Sequence, residues 1–77
     1  MAGKMTKHQM IKRVRGRMKI LSNARHYPYT KWISRTEHLL CDSRGTYFLD
    51  TKQNTKRYND LRFMNKTQIE KIMRKLK

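Results

Sequence analysis

The first carboxylate in this chain is Glu37. Ten Lys or Arg residues precede it, so residues 1–36 hold ten positive charges and no acid to neutralise any of them. The rest of the chain carries the other ten basic side chains and all five acids, and the net charge is +15 over 77 residues. Like charges at this density oppose compaction, so a fold made from such a sequence must hold them outward, and a polyanionic partner would offset the repulsion. Nucleic acid is the commonest such partner, ahead of an anionic membrane or an acidic protein face.

A chain of this length has room for one small domain with one core. Only 14 of its 77 residues are Leu, Ile, Val or Phe, which together with the charge borders on the disordered class. Six Met, four Tyr and one Trp add apolar surface, and the apolar positions are periodic. Residues 1–5 read as a flexible tail and residues 6–77 as a single small basic domain.

Thr6 opens "TKHQ", a T-x-x-Q capping box in which the Thr6 hydroxyl takes an orphan N–H and Gln9 reaches back. Ile11, Val14, Met18 and Leu21 follow at spacings of three, four and three, with Met10 beside them, which predicts an amphipathic helix ending near Asn23. Residues 24–32, "ARHYPYTKW", read as a linker. Over 33–41, Ser34 and Glu37 could cap a short helix, but "CDSRGTYF" is a hairpin signal: Asp42, Ser43 and Arg44 suit a type I turn and Gly45 the left-handed position after it. Strands are therefore expected over 37–42 and 46–50, then a polar turn over 50–55. A third strand is expected within 56–63, anchored by Tyr58. Asn65 or Thr67 can cap a last helix, whose stripe is Ile69, Ile72, Met73 and Leu76, with Arg74, Lys75 and Lys77 at its negative pole.

The expected fold class is thus α+β: an N-terminal amphipathic helix, a short antiparallel three-stranded sheet or hairpin, and a C-terminal amphipathic helix. The order helix, three strands, helix is similar to that of double-stranded-RNA-binding domains. Their Gly-Pro-x-His loop and the Lys-Lys-x-Ala-Lys start of their last helix are not found here. The likeness is one of element order and implies no function.

"KRVRGRMK" (12–19) concentrates the charge on the first helix. Lys12, Arg13 and Lys19 fall opposite the apolar stripe, Arg15 and Arg17 flank it, and Gly16 lies in the middle of the basic face. Gly in a helix interior costs about 0.8–1 kcal/mol relative to Ala, and the position would let a phosphate backbone approach closely. Such a face is often simply solvated, but with no acid nearby it is read here as a phosphate contact. In the linker, Tyr27, Tyr29 and Trp32 interleave with Arg25, His26 and Lys31, the mixture of rings and cations that single-stranded nucleic acid uses. Trp32 is expected in the core, whereas Tyr27 and Tyr29 are candidates for stacking. Arg35 adds to the basic set, and Arg44 at the hairpin tip can enter a groove or meet a phosphate.

Other chemistry has thin support. His38 and Cys41 are three apart, but there is no second Cys, and structural zinc wants four ligands. Glu37, His38 and Asp42 could be imagined as a nuclease site, yet read better as surface side chains. No P-loop, G-x-S-x-G or dinucleotide fingerprint occurs. Neither an enzyme nor a cofactor is expected. One cysteine excludes an internal disulfide and fits a reducing, cytoplasmic setting. No run approaches the ~18 apolar residues of a membrane span, and the first helix lacks a Trp or Phe anchor and needs its apolar face for the core, so no membrane is expected. The expected function is non-catalytic nucleic-acid binding, DNA or RNA, as a small transcriptional or RNA-level regulator. The alternative is a basic regulator or inhibitor docking on an acidic surface of a partner such as a nucleic-acid enzyme.

Overall fold

Side-chain caps decide where both helices begin. The Thr6 hydroxyl accepts the Gln9 N–H at 3.1 Å and the Gln9 side chain accepts the Thr6 N–H at 3.0 Å, closing the capping box ahead of helix α1, Lys7–Ser22. Asn23 ends it in the left-handed conformation (φ 55°). Asn65 accepts the Gln68 N–H at 2.9 Å and starts helix α2, Lys66–Lys75. The computed structural model describes residues 5–50 and 58–76.

Between the helices lies an antiparallel meander of four strands: β1 (Tyr29–Trp32), β2 (Glu37–Cys41), β3 (Thr46–Asp50) and β4 (Tyr58–Asp60). The fold class is the expected α+β, with one strand more than the sequence predicts. The additional strand is β1, which converts the end of the predicted linker and removes the likeness in element order to double-stranded-RNA-binding domains. The predicted third strand is β4, which ends at Asp60 instead of running to 63 because Leu61–Phe63 turn into a 3-10 helix. The expected turn over 50–55 and the anchoring Tyr58 side chain fall outside the described residues, apart from Asp50.

The expected Ser34–Glu37 cap forms, but it closes a hairpin instead of starting a helix. The Ser34 hydroxyl accepts the N–H groups of Thr36 and Glu37 and donates to the Glu37 carboxylate at 3.1 Å, while the Ile33 N–H donates to the Glu37 carbonyl at 2.8 Å. This turn joins β1 to β2. In the next turn Asp42 accepts the N–H groups of Arg44 and Gly45, both at 2.8 Å. Gly45 has no positive φ, contrary to the expected left-handed position. Proximity explains the glycine: a Cβ here would lie 3.1 Å from Oδ2 of buried Asp60.

Strand pairing sorts the side chains onto two faces. Tyr29 pairs with Cys41 and Cys41 with Thr46; Leu39 lies two residues from Cys41 on that face and pairs with Lys31 and Phe48. Tyr29, Leu39 and Cys41 are buried there against Met10, Val14 and Met18 of α1 and Ile69, Ile72 and Leu76 at the end of the chain, with Leu61 between them. Every fourth residue of α1 from Met10 thus forms the seam, and the predicted Ile11 and Leu21 only flank it. The opposite face carries Thr30, Trp32, His38, Leu40, Tyr47 and Leu49. Trp32 is not in the core as predicted but 56% exposed. It stands three residues from Tyr29 on a strand, an odd offset, so it points away from the helices.

Candidate nucleic-acid interface

Burying the seam of α1 turns its other face outward. Lys12, Arg13, Gly16 and Lys19 are all exposed on it, as the sequence predicts, joined by Ile20, which is 68% exposed. The two ion pairs seen among the described residues, Arg62–Asp60 at 2.9 Å and Lys75–Glu37 at 2.6 Å, use none of these cations. Asp60 and Glu37 are thus engaged elsewhere. Asp60 accepts the Arg62 N–H and its guanidinium, and the hydrogen bond first and the charge second raise the Arg62 pKa above its ordinary value. Asp42 holds its turn.

Arg15 and Arg17 occupy different positions. Arg15 is half-buried and donates to Thr46 Oγ1 at 3.2 Å, the Asp42 carbonyl at 3.1 Å and the Tyr27 hydroxyl at 3.4 Å. Arg17 donates through Nε to the Leu76 carbonyl at 3.2 Å, satisfying the end of α2. Both guanidiniums are pinned on the protein's own backbone and hold α1 to the hairpin and to α2. Beside Arg13 and Arg17 a groove of about 360 Å³ runs between the helices, walled by Ile20, Met73 and Leu76. Gly16 lines it, and a Cβ there would meet nothing within 4 Å.

The remaining predicted residues divide between two ends of the sheet. Tyr27 lies under Arg15 (5.8 Å to the ring centre) and against Tyr29 (4.6 Å between ring centres), near the turn that carries exposed Arg44. Tyr29 is only 4% exposed and belongs to the core, so it offers no free face for stacking. Exposed Arg25 lies in the loop after α1. Exposed Lys31 and Arg35 sit at the far end, with Trp32. The twelve predicted residues therefore do not make one continuous patch; Lys12, Arg13, Gly16 and Lys19 do. Trp32 and Ile20 are surface residues that sequence reasoning missed. For Trp32 the odd offset from Tyr29 becomes a signal only once the strand β1 is known.

The imagined nuclease set does not converge. Glu37 binds Lys75 and Ser34, its neighbour His38 faces the other side of β2, and Asp42 caps a turn. Among the described residues no three His, Cys, Asp or Glu side chains gather at metal-binding distance, and no helix is long and apolar enough to cross a membrane. Cys41 is a free, buried thiol whose sulfur accepts from the Thr46 hydroxyl at 3.6 Å. No protein-family model, curated protein or solved structure matches the chain.

Proposed function

We propose that this chain is a non-catalytic nucleic-acid-binding protein that neutralises backbone phosphates with the outward face of α1, as a small transcriptional or RNA-level regulator. One observation carries the reading: Lys12, Arg13 and Lys19 share one face of a helix that is fixed at both ends and along its seam, and none of them is in an ion pair among the described residues. A helix backbone already fixed in place has no further freedom to lose on meeting a phosphate, and the counterions displaced from the nucleic acid drive association. A buried free cysteine is in keeping with a reducing, cytoplasmic setting.

The experiment is a salt titration against duplex DNA, single-stranded DNA and RNA. Affinity is expected to fall with salt on a log–log slope of about −0.9 per phosphate neutralised on duplex and about −0.7 on single strands. Absence of binding, or an affinity indifferent to salt, overturns the reading.

The groove beside Gly16 favours a second reading, in which an acidic partner protein places apolar side chains between Ile20 and Met73 while Arg13 and Arg17 meet its carboxylates. A stoichiometric protein partner that survives nuclease and high salt selects it. Gly16→Ala bears on both readings. The added methyl has free space, so thermal melting is expected to show a gain of about 0.8–1 kcal/mol from helix propensity. Close backbone approach at Gly16 would make the more stable variant the weaker binder, and binding assays on the same preparation read that out.

A further inference from the structure

The sheet face turned away from the helices has an exposed aromatic residue that the fold itself does not use. Trp32, on edge strand β1, is 56% exposed, and its ring lies nearly parallel to that of His38 across the β1–β2 pair, 18° between planes and 4.7 Å between centres. Single apolar residues on a surface are ordinary, but this one is not single. His38 pairs with Leu49 and the adjacent row pairs Leu40 with Tyr47, so half-buried Leu40, Tyr47 and Leu49 continue the face. None of the three packs against the core beneath. No described helix covers them. Lys31 and Arg35, both exposed, flank the indole in sequence on either side of it.

We propose that this face, centred on the Trp32–His38 stack, is a platform for the bases of single-stranded nucleic acid. His38 occupies one side of the indole and fixes its plane, so a base added to the other side extends an existing stack with little ordering cost. Exposed Arg35, in the turn that follows β1, is placed to take a phosphate beside that base, whereas Lys31 starts from the other face of the strand. Paired bases within a duplex hide their faces, and only an unpaired base can present one. The occupant is therefore a single strand, whose charge complements a chain of net +15. This deepens the nucleic-acid reading above and rests on it. The two surfaces lie on opposite sides of the molecule, because α1 packs its seam on the other face of the sheet. Phosphate binding by α1 and stacking on Trp32 are thus separable.

Trp32 is the only tryptophan, so its emission reports on this face alone. The protein is titrated with oligothymidylate, with a duplex of the same length, and with polyglutamate, a polyanion without bases. Oligothymidylate is expected to quench the emission, while duplex binds and leaves it unchanged and polyglutamate does not quench. Trp32→Ala is expected to weaken single-strand binding by roughly 5- to 150-fold, the range for losing one base–aromatic stack, and to leave duplex affinity as it was. Trp32→Phe should retain most of the single-strand affinity. Unchanged emission with bound oligothymidylate, equal quenching by polyglutamate, or equal weakening of both nucleic acids in Trp32→Ala overturns the platform. Where duplex still binds in a salt-dependent way, the phosphate-binding reading survives that result; where neither nucleic acid binds, both fail. Melting curves of the variants separate lost binding from lost folding, and quenching of the unaltered protein needs no variant.

Discussion

Replacing Lys12, Arg13 and Lys19 together by Gln is expected to lower affinity for duplex DNA by about two to three orders of magnitude at ~0.1 M salt, and to flatten the log–log salt slope by about 2.7. The estimate follows from losing three phosphate contacts at ~0.9 ion each, and it shrinks towards nothing as salt approaches ~1 M. Filter binding or fluorescence anisotropy across a salt series measures both quantities. Arg15 and Arg17 are left in place because their guanidiniums hold backbone carbonyls at Asp42 and Leu76. Removing them would loosen α1 and confuse weakened binding with weakened folding. The three chosen side chains are exposed and make no ion pair among the described residues, so the melting temperature should stay within a few degrees of the parent. A triple variant that binds as tightly, with the same slope, removes the face from the mechanism.

The largest effect on stability is expected at Leu39. It is fully buried on β2, a central strand, paired with Lys31 on one side and Phe48 on the other. Backbone held on both flanks cannot settle into the space that Leu39→Ala opens, which puts the cost at about 3–5 kcal/mol. A domain of this size has about 4–12 kcal/mol in total, so a large part of its stability goes. Urea unfolding should show a midpoint shifted strongly downward with little change in slope, and the melting temperature should fall by roughly 12–40 °C. A loss below about 1 kcal/mol would mean that the centre of the core lies elsewhere.

Both helices are legible in the sequence because each has a local cap and a periodic stripe, Thr6–Gln9 with Met10, Val14 and Met18, and Asn65–Gln68 with Ile69, Ile72 and Leu76. Strands β2 and β3 are legible through the turn residues between them. Strand β1 is not, because only Tyr29 of "YTKW" is buried and an edge strand with one buried residue shows no alternation. The Ser34–Glu37 signal is real at the level of hydrogen bonds and silent about which element it serves. Within the interface, the direction of Lys12, Arg13 and Lys19 follows from helical geometry alone. What separates Arg15 and Arg17 from them does not, since their partners are reached across 12, 27, 31 and 59 residues and two of the four are backbone carbonyls. Those contacts exist only once the sheet and α2 are in place. Trp32 was hidden for the same reason as β1: its side is decided by a strand that the sequence does not announce.

The link from Arg17 to the Leu76 carbonyl, together with that from the Lys7 ammonium to the Arg62 carbonyl, ties the start of the described chain to its end. Neither helix can detach without opening the shared seam of Val14, Met18, Ile69 and Leu76. The two should therefore behave as one cooperative unit in amide hydrogen exchange, with the slowest amides of α1 and of α2 opening at a common free energy. A polyanion held by α1 alone would then slow exchange in α2 equally, a long-range protection that reports occupancy of one helix through the other.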